Sequence, residues 1–234
     1  MIFVIFVCFF VYLFCLYLLS NDDFIFLRKD VSVEKVFNVT LLVCLVSILF
    51  SRILYVAMNP NANFLNPLVF LLLPYFPGLS LTGAVVGGAI VSFLLSKKHK
   101  IPEGRFFDFL AFSLLASLPI GFLGFIVLGE DKTNYIKFIG LAIVYALLFI
   151  VFLKLFLPLL LKGKFKDGTV GFLFLIFFSV ISLINNLIAR KGSIFQFDIE
   201  AFILISVFIV SLVLLIRQEK LLGKVKKYWE TRKT

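Results

Sequence analysis

Few residues in this chain can move a proton or hold an anion, and most of them interrupt or border long apolar runs. Arg52 sits inside one such run, Thr82 near the start of the next, and Glu130 and Asp131 close a third. Asn185, Asn186 and Arg190 close a fourth, while Asp108 and Lys154 lie toward the opposite ends of their runs. A carboxylate such as Glu130 can take a proton, and Arg52 and Arg190 can stabilise a phosphate. The single histidine, His99, lies in the basic loop Lys97-Lys98-His99-Lys100, and Cys8, Cys15 and Cys44 all fall in apolar runs. With no Cys/His cluster and no pair of loop cysteines, neither a metal site nor an extracellular disulfide is expected, and no cofactor is implied.

The elements that must position these residues follow from composition. Of 234 residues, 62% are apolar and 15% charged, with 32 phenylalanines and a mean hydropathy of +1.13. Soluble domains run near 45–50% apolar and about 25% charged, so soluble enzyme folds, nucleic-acid modules and disordered linkers are disfavoured. About 20 apolar residues in a helix rising about 1.5 Å each cross a hydrocarbon core of roughly 30 Å. Measured this way, the chain is an all-α polytopic membrane protein with seven spans, near 1–19, 36–58, 79–96, 106–128, 137–161, 170–189 and 199–216. The last span is the weakest, because Asp198 and Glu200 crowd its start. The run Leu68–Leu73 is too short to cross and reads as interfacial. The first span lacks a charged leading region and a small-residue cleavage site, so it reads as a retained helix and not a signal peptide.

Charge orients the spans. Loops 20–35, 97–105 and 162–169 and the tail 217–234 hold 3, 4, 3 and 7 Lys or Arg residues, whereas loops 59–78, 129–136 and 190–198 hold 0, 1 and 2. Cytoplasmic loops keep positive charge, which places the N-terminus outside and the C-terminus inside. One transmembrane domain, 1–216, is expected, followed by a basic cytoplasmic tail, 217–234. The same asymmetry accounts for the net charge of +10. Attraction of the tail to anionic headgroups is the simpler reading, and nucleic acid is not an expected partner.

On this topology Arg52, Thr82, Glu130, Asn186 and Arg190 all fall in the outer leaflet, as expected for an outward-facing polar cavity. Interfacial residues wetted by headgroups would give the same pattern. Ionisable groups at membrane depth are costly and are functional candidates by default. Gly83, Gly87 and Gly88 form a small-residue face on the third span, and Gly121 and Gly124 form another on the fourth, where tight helix packing is expected. Pro119 should kink or open its helix. Loop 59–78, with four prolines and Asn61, Asn63 and Asn66, suggests an ordered arm on the bilayer.

Several stretches resemble prolipoprotein diacylglyceryl transferase, a bacterial membrane enzyme that attaches a diacylglyceryl group to a lipobox cysteine. Arg52-Ile53-Leu54-Tyr55-Val56 is similar to the family's Arg-Ile-Gly-Tyr-Val. Gly78-Leu79-Ser80-Leu81-Thr82-Gly83-Ala84-Val85-Val86-Gly87 is similar to Gly-Met-Ser-Phe-His-Gly-Gly-Leu-Ile-Gly, and Asp108-Phe109-Leu110-Ala111 to Asp-Phe-Ile-Ala. Residues Gly121 to Glu130 fall, without a gap, on the signature Gly-Arg-x-Gly-Asn-Phe-x-Asn-Gly-Glu. The family also has seven helices and an outside N-terminus.

The departures fall where the chemistry is expected. The motif histidine, assigned to thiol proton transfer, aligns with Thr82, and the signature arginine aligns with Phe122. The two asparagines align with Phe125 and Leu128. In a later stretch, Leu183–Arg190, only Arg190 survives, with Leu183 and Leu187 replacing an arginine and a glutamate. The resemblance implies phospholipid and lipobox-containing prolipoproteins as partners, in the plasma membrane of a bacterium. It implies headgroup contacts from Arg52, Arg190 and Asn186, and catalysis by Glu130 with Thr82 at the histidine position. A non-catalytic lipid-binding or scaffold relative remains open, as does a small transporter or channel, although no internal repeat is visible.

The topology is directly testable. With the three cysteines replaced by serine, single cysteines in loop 59–78 should react with a membrane-impermeant maleimide on intact cells. Cysteines in loop 97–105 should react only after permeabilisation. The reverse pattern would invert the assignment.

Overall fold

In the computed structural model, residues 2–60, 78–128, 135–189 and 199–219 are described. All of their regular structure is helical: α1 (Ile2–Asn21), α2 (Phe24–Arg28), α3 (Val33–Met58), α4 (Leu81–Lys98), α5 (Glu103–Leu128), α6 (Tyr135–Leu161), α7 (Thr169–Ala189) and α8 (Ile199–Glu219). Seven of these, all but α2, are long and apolar enough to cross a membrane. Each matches an expected span to within a few residues. In hydrocarbon every backbone N–H and C=O must be satisfied internally, and a helix does this within one segment. The run Leu68–Leu73, residues 61–77 of the 59–78 arm, and the tail beyond Glu219 lie outside the described residues.

The chain forms two compact units. The first comprises Met1–Phe37 with Ile101–Phe174, and the second Asn38–Lys100 with Leu175–Thr234. The first is built on α5. Phe109 meets Phe26 of α2 edge-on at 5.5 Å between ring centroids, and Phe112 meets Phe152 of α6 at 5.9 Å. Gly124 takes the Val4 side chain of α1, and a Cβ there would collide with it. Gly121 leaves ordinary van der Waals space to Cys8 Sγ, 3.6 Å from where a Cβ would stand. Of the two small residues expected to pack tightly on α5, therefore, only Gly124 is sterically required. In the second unit the face of α4 meets α3 closely. A Cβ on Gly83 would stand 2.8 Å from the Phe50 carbonyl, Gly87 faces the Phe50 ring, and Gly88 faces Ser47 Oγ.

The helix α5 runs through Pro119 as one element, whereas α6 widens to a π-turn over Phe152–Phe156 before resuming at Leu157–Leu161. Pro158 explains this: it offers no N–H and its ring crowds the carbonyl four residues back, at Lys154, so the preceding turn opens. Lys154 is exposed on that turn.

Asp108 is fully buried and accepts the backbone N–H groups of Gly168 at 2.6 Å and Gly171 at 2.7 Å. It thus caps the start of α7 from another helix, satisfying donors that a helix N-terminus leaves unpaired. Close approach makes this possible: a Cβ on Gly171 would strike the Phe107 ring, and one on Gly104 the Asp167 carbonyl. Arg105 turns to Asp23, giving Nε and Nη2 to Oδ2 at 2.9 and 2.6 Å, while Nη1 donates to the Leu160 carbonyl at 3.2 Å. Asp23 Oδ1 accepts the N–H groups of Ile25 and Phe26, so one carboxylate caps α2 and pairs the arginine. Asp167 lies farther off, at 3.5 Å. Its carboxyl is pushed above the ordinary value by partial burial, opposed by Arg105, with Asp23 adding to the rise and Lys29 opposing it.

Asp108→Ala should orphan two buried N–H groups, at about 1–3 kcal/mol each. A thermal or denaturant melt in detergent should show that loss, with Asp108→Asn losing less and Lys154→Ala unchanged. An Asp108→Ala melt equal to wild type would contradict the capping role.

Candidate functional site

The second unit gathers polar groups at the end of α3 and the start of α4. Ser80 begins the construction, because its Oγ accepts the Gly83 N–H at 3.2 Å and caps α4. A serine at this position satisfies one of the free N–H groups of the first turn. Ser51 of α3 then ties to the same residue twice. Its Oγ donates to the Ser80 carbonyl at 2.7 Å, and its own carbonyl accepts the Ser80 N–H at 3.2 Å. The loop entering α4 is thereby fixed to α3 by backbone as well as side chain.

One residue along α3, Arg52 is 1% exposed. Its Nη1 donates to the Gly78 carbonyl at 2.8 Å, and the guanidinium carbon lies 5.8 Å from the centre of the Tyr55 ring. Gly78 adopts φ +147°, and a Cβ there would fall on the Tyr55 ring. Only glycine meets both demands. Arginine, tyrosine and glycine form one packed element in which the cation is held against a carbonyl and an aromatic ring.

Thr82, in the first turn of α4, is buried and donates from Oγ1 to Glu200 Oε1 at 2.7 Å. Glu200 stands in the first turn of α8, where a helix start favours a negative charge. Its other oxygen accepts Asn186 Nδ2 of α7 at 3.4 Å. Three spans, α4, α7 and α8, therefore meet through one carboxylate whose two oxygens have separate partners.

Of the residues expected from sequence, Arg52, Thr82, Asn186, Gly83 and Gly87 all lie in this unit. Gly121 and Gly124 pack in the first unit against α1. Phe122, also in the first unit, stacks on Tyr145 with ring centroids 5.5 Å apart and planes 9° from parallel. Glu130 and Arg190 lie outside the described residues. Sequence reasoning missed Glu200, which was read only as weakening the last span. An acid in the first turn of an otherwise apolar helix was the available signal. Ser51 and Gly78 were missed as ties, and only their contacts reveal them.

The family model of prolipoprotein diacylglyceryl transferase matches residues 2–132. The chain belongs to that family. The match takes in α1 to α5, and so includes Arg52, Gly78, Ser80 and Thr82, whereas Asn186 and Glu200 come from beyond it. Comparisons with curated proteins and with solved structures give no match. Seven apolar helices and this membership make the chain an integral membrane protein, diacylglyceryl transferase-like in its family.

The Gly78 element can be probed by a mutant cycle. Gly78→Ala should destabilise the protein by about 1–3 kcal/mol, the usual range for a residue forced into a disfavoured backbone region. Tyr55→Ala with Gly78→Ala should cost less than the two single changes added, because the smaller residue removes the collision. Strict additivity would show that the ring and the glycine are independent.

Proposed function

We propose that this protein transfers a diacylglyceryl group from phosphatidylglycerol to a lipobox cysteine, in the plasma membrane of a bacterium. The observation that carries the reading is Arg52, a guanidinium almost wholly buried within an apolar span of the family-matched segment. Charge at membrane depth is costly and is retained where it holds a substrate or partner. In the reaction a cysteine thiolate attacks the glycerol carbon of the lipid, and glycerol phosphate leaves. Negative charge grows on the leaving phosphate, so a cation fixed near it lowers the barrier. Arg52 is proposed as that cation, with Asn186 and Arg190 on the headgroup. Glu130 is proposed as a catalytic acid or base, with Thr82 at the position of the family histidine.

A specific observation favours a second reading, a non-catalytic relative that binds phospholipid. Phe122 occupies the place where the resemblance puts an arginine, and it is spent in a stack on Tyr145. An aromatic ring offers no charge to a phosphate, so this position supplies no cation.

Purified protein in phosphatidylglycerol vesicles, given a lipobox peptide, should add the mass of a diacylglyceryl group to cysteine. Arg52→Ala should reduce the rate by about 10²-fold or more, the usual loss when one electrostatic group is removed. Lys154→Ala, on an exposed position, should leave it unchanged. If wild type adds no mass while phosphatidylglycerol still co-purifies, the non-catalytic reading stands. A Thr82→His, Phe122→Arg variant then tests whether the site can be revived.

A further inference from the structure

We propose that Glu200, working through the Thr82 hydroxyl, is the proton acceptor for the incoming cysteine thiol, in the role the resemblance gives to a histidine. This rests on the diacylglyceryl-transfer reading and names the proton path of that same site. The geometry is that of a base and its orienting group. Thr82 Oγ1 points its hydrogen at Glu200 Oε1, 2.7 Å away, which leaves its lone pairs to accept a hydrogen from another donor. Asn186 Nδ2 holds the second oxygen at 3.4 Å, which limits rotation of the carboxylate. Ser80 fixes the first turn that carries Thr82.

A threonine cannot act as a base alone near neutral pH, because its hydroxyl has no accessible anionic form. Passed through that hydroxyl, the proton reaches a carboxylate that can hold it. The thiol S–H proton moves to Thr82 Oγ1 as the Thr82 proton moves to Glu200 Oε1. The sulfur lone pair forms the S–C bond to the glyceryl carbon, and the C–O bond to phosphate breaks, its electrons leaving with glycerol phosphate. Glycerol phosphate leaves as its dianion on the far side of the carbon, and Glu200 then gives the proton up to water. No oxidant, metal or further reactant is needed. A carboxylate is a weaker base than a thiolate, so full proton transfer does not precede attack. The two therefore proceed together, the carboxylate taking the proton as the S–C bond forms.

The experiment is transfer from phosphatidylglycerol vesicles to a lipobox peptide, measured against pH for a set of variants whose folding is checked by thermal melts. Glu200→Gln and Thr82→Val should each reduce the rate by about 10²-fold or more, the usual worth of a positioned base. Thr82→Ser should stay within a few-fold of wild type, and Glu200→Asp should restore part of the loss. Thr82→His supplies a base of its own. In that background Glu200→Gln should change the rate less than a few-fold, and the acid limb of the profile should move toward the imidazole range. A merely structural Glu200 would give the same loss in both backgrounds. Wild-type transfer with Glu200→Gln unaffected overturns the relay and leaves the transferase reading intact. No transfer by wild type overturns both.

Discussion

A charged or strongly polar group inside an apolar span is costly without a partner, and this constraint organises both units of the protein. An unpaired buried donor or charge costs several times what a typical hydrogen bond contributes. Asp108 meets the constraint with two backbone N–H groups of another helix, Arg105 with Asp23 and a carbonyl, and Arg52 with the Gly78 carbonyl. Thr82 meets it with Glu200. In each of these cases the partner comes from at or beside a helix end, where backbone groups are left unpaired by the helix and capping side chains gather.

Glycine determines whether those partners can come close enough. The Asp108 cap forms because Gly171 lets α7 lie on the Phe107 ring and Gly104 lets α5 lie on the Asp167 carbonyl. The Ser51–Ser80 ties form because Gly83 brings the α4 backbone against the Phe50 carbonyl. Packing and polar satisfaction are therefore one problem. In hydrocarbon no water is at hand to fill the space left when two helices stand an ångström too far apart.

Composition and spacing were enough to read the seven apolar helices, since a run of about twenty apolar residues has few other structural outcomes. The small-residue face of α4 was also legible, because glycines four apart share a helix face. Pro119 and Pro158 were not distinguishable in the same way. Each lies in an apolar run, yet only the second has a π-turn immediately before it. Asp108 was legible as an inner-side acid but not as a cap, because its partners are backbone atoms sixty residues away with no side-chain signature. Glu200 was visible and misjudged. Counted as a charge against a span it weakens the helix, whereas at the helix start it is favoured by the dipole and reaches back to Thr82.

Glu200 also shows why residue-by-residue alignment and spatial arrangement can disagree about what a membrane protein has lost. The family-matched segment ends at residue 132, and the sequence resemblance puts Thr82 at the histidine position and Phe122 at the arginine position. Judged from that segment alone, the polar equipment is depleted. The fold, however, brings the start of α8 to the start of α4, and with it a carboxylate 118 residues away in sequence. The Phe122 ring is committed to a stack on Tyr145. The two positions are thus unequal: Thr82 has a carboxylate within hydrogen-bond reach, and Phe122 is held in an aromatic stack.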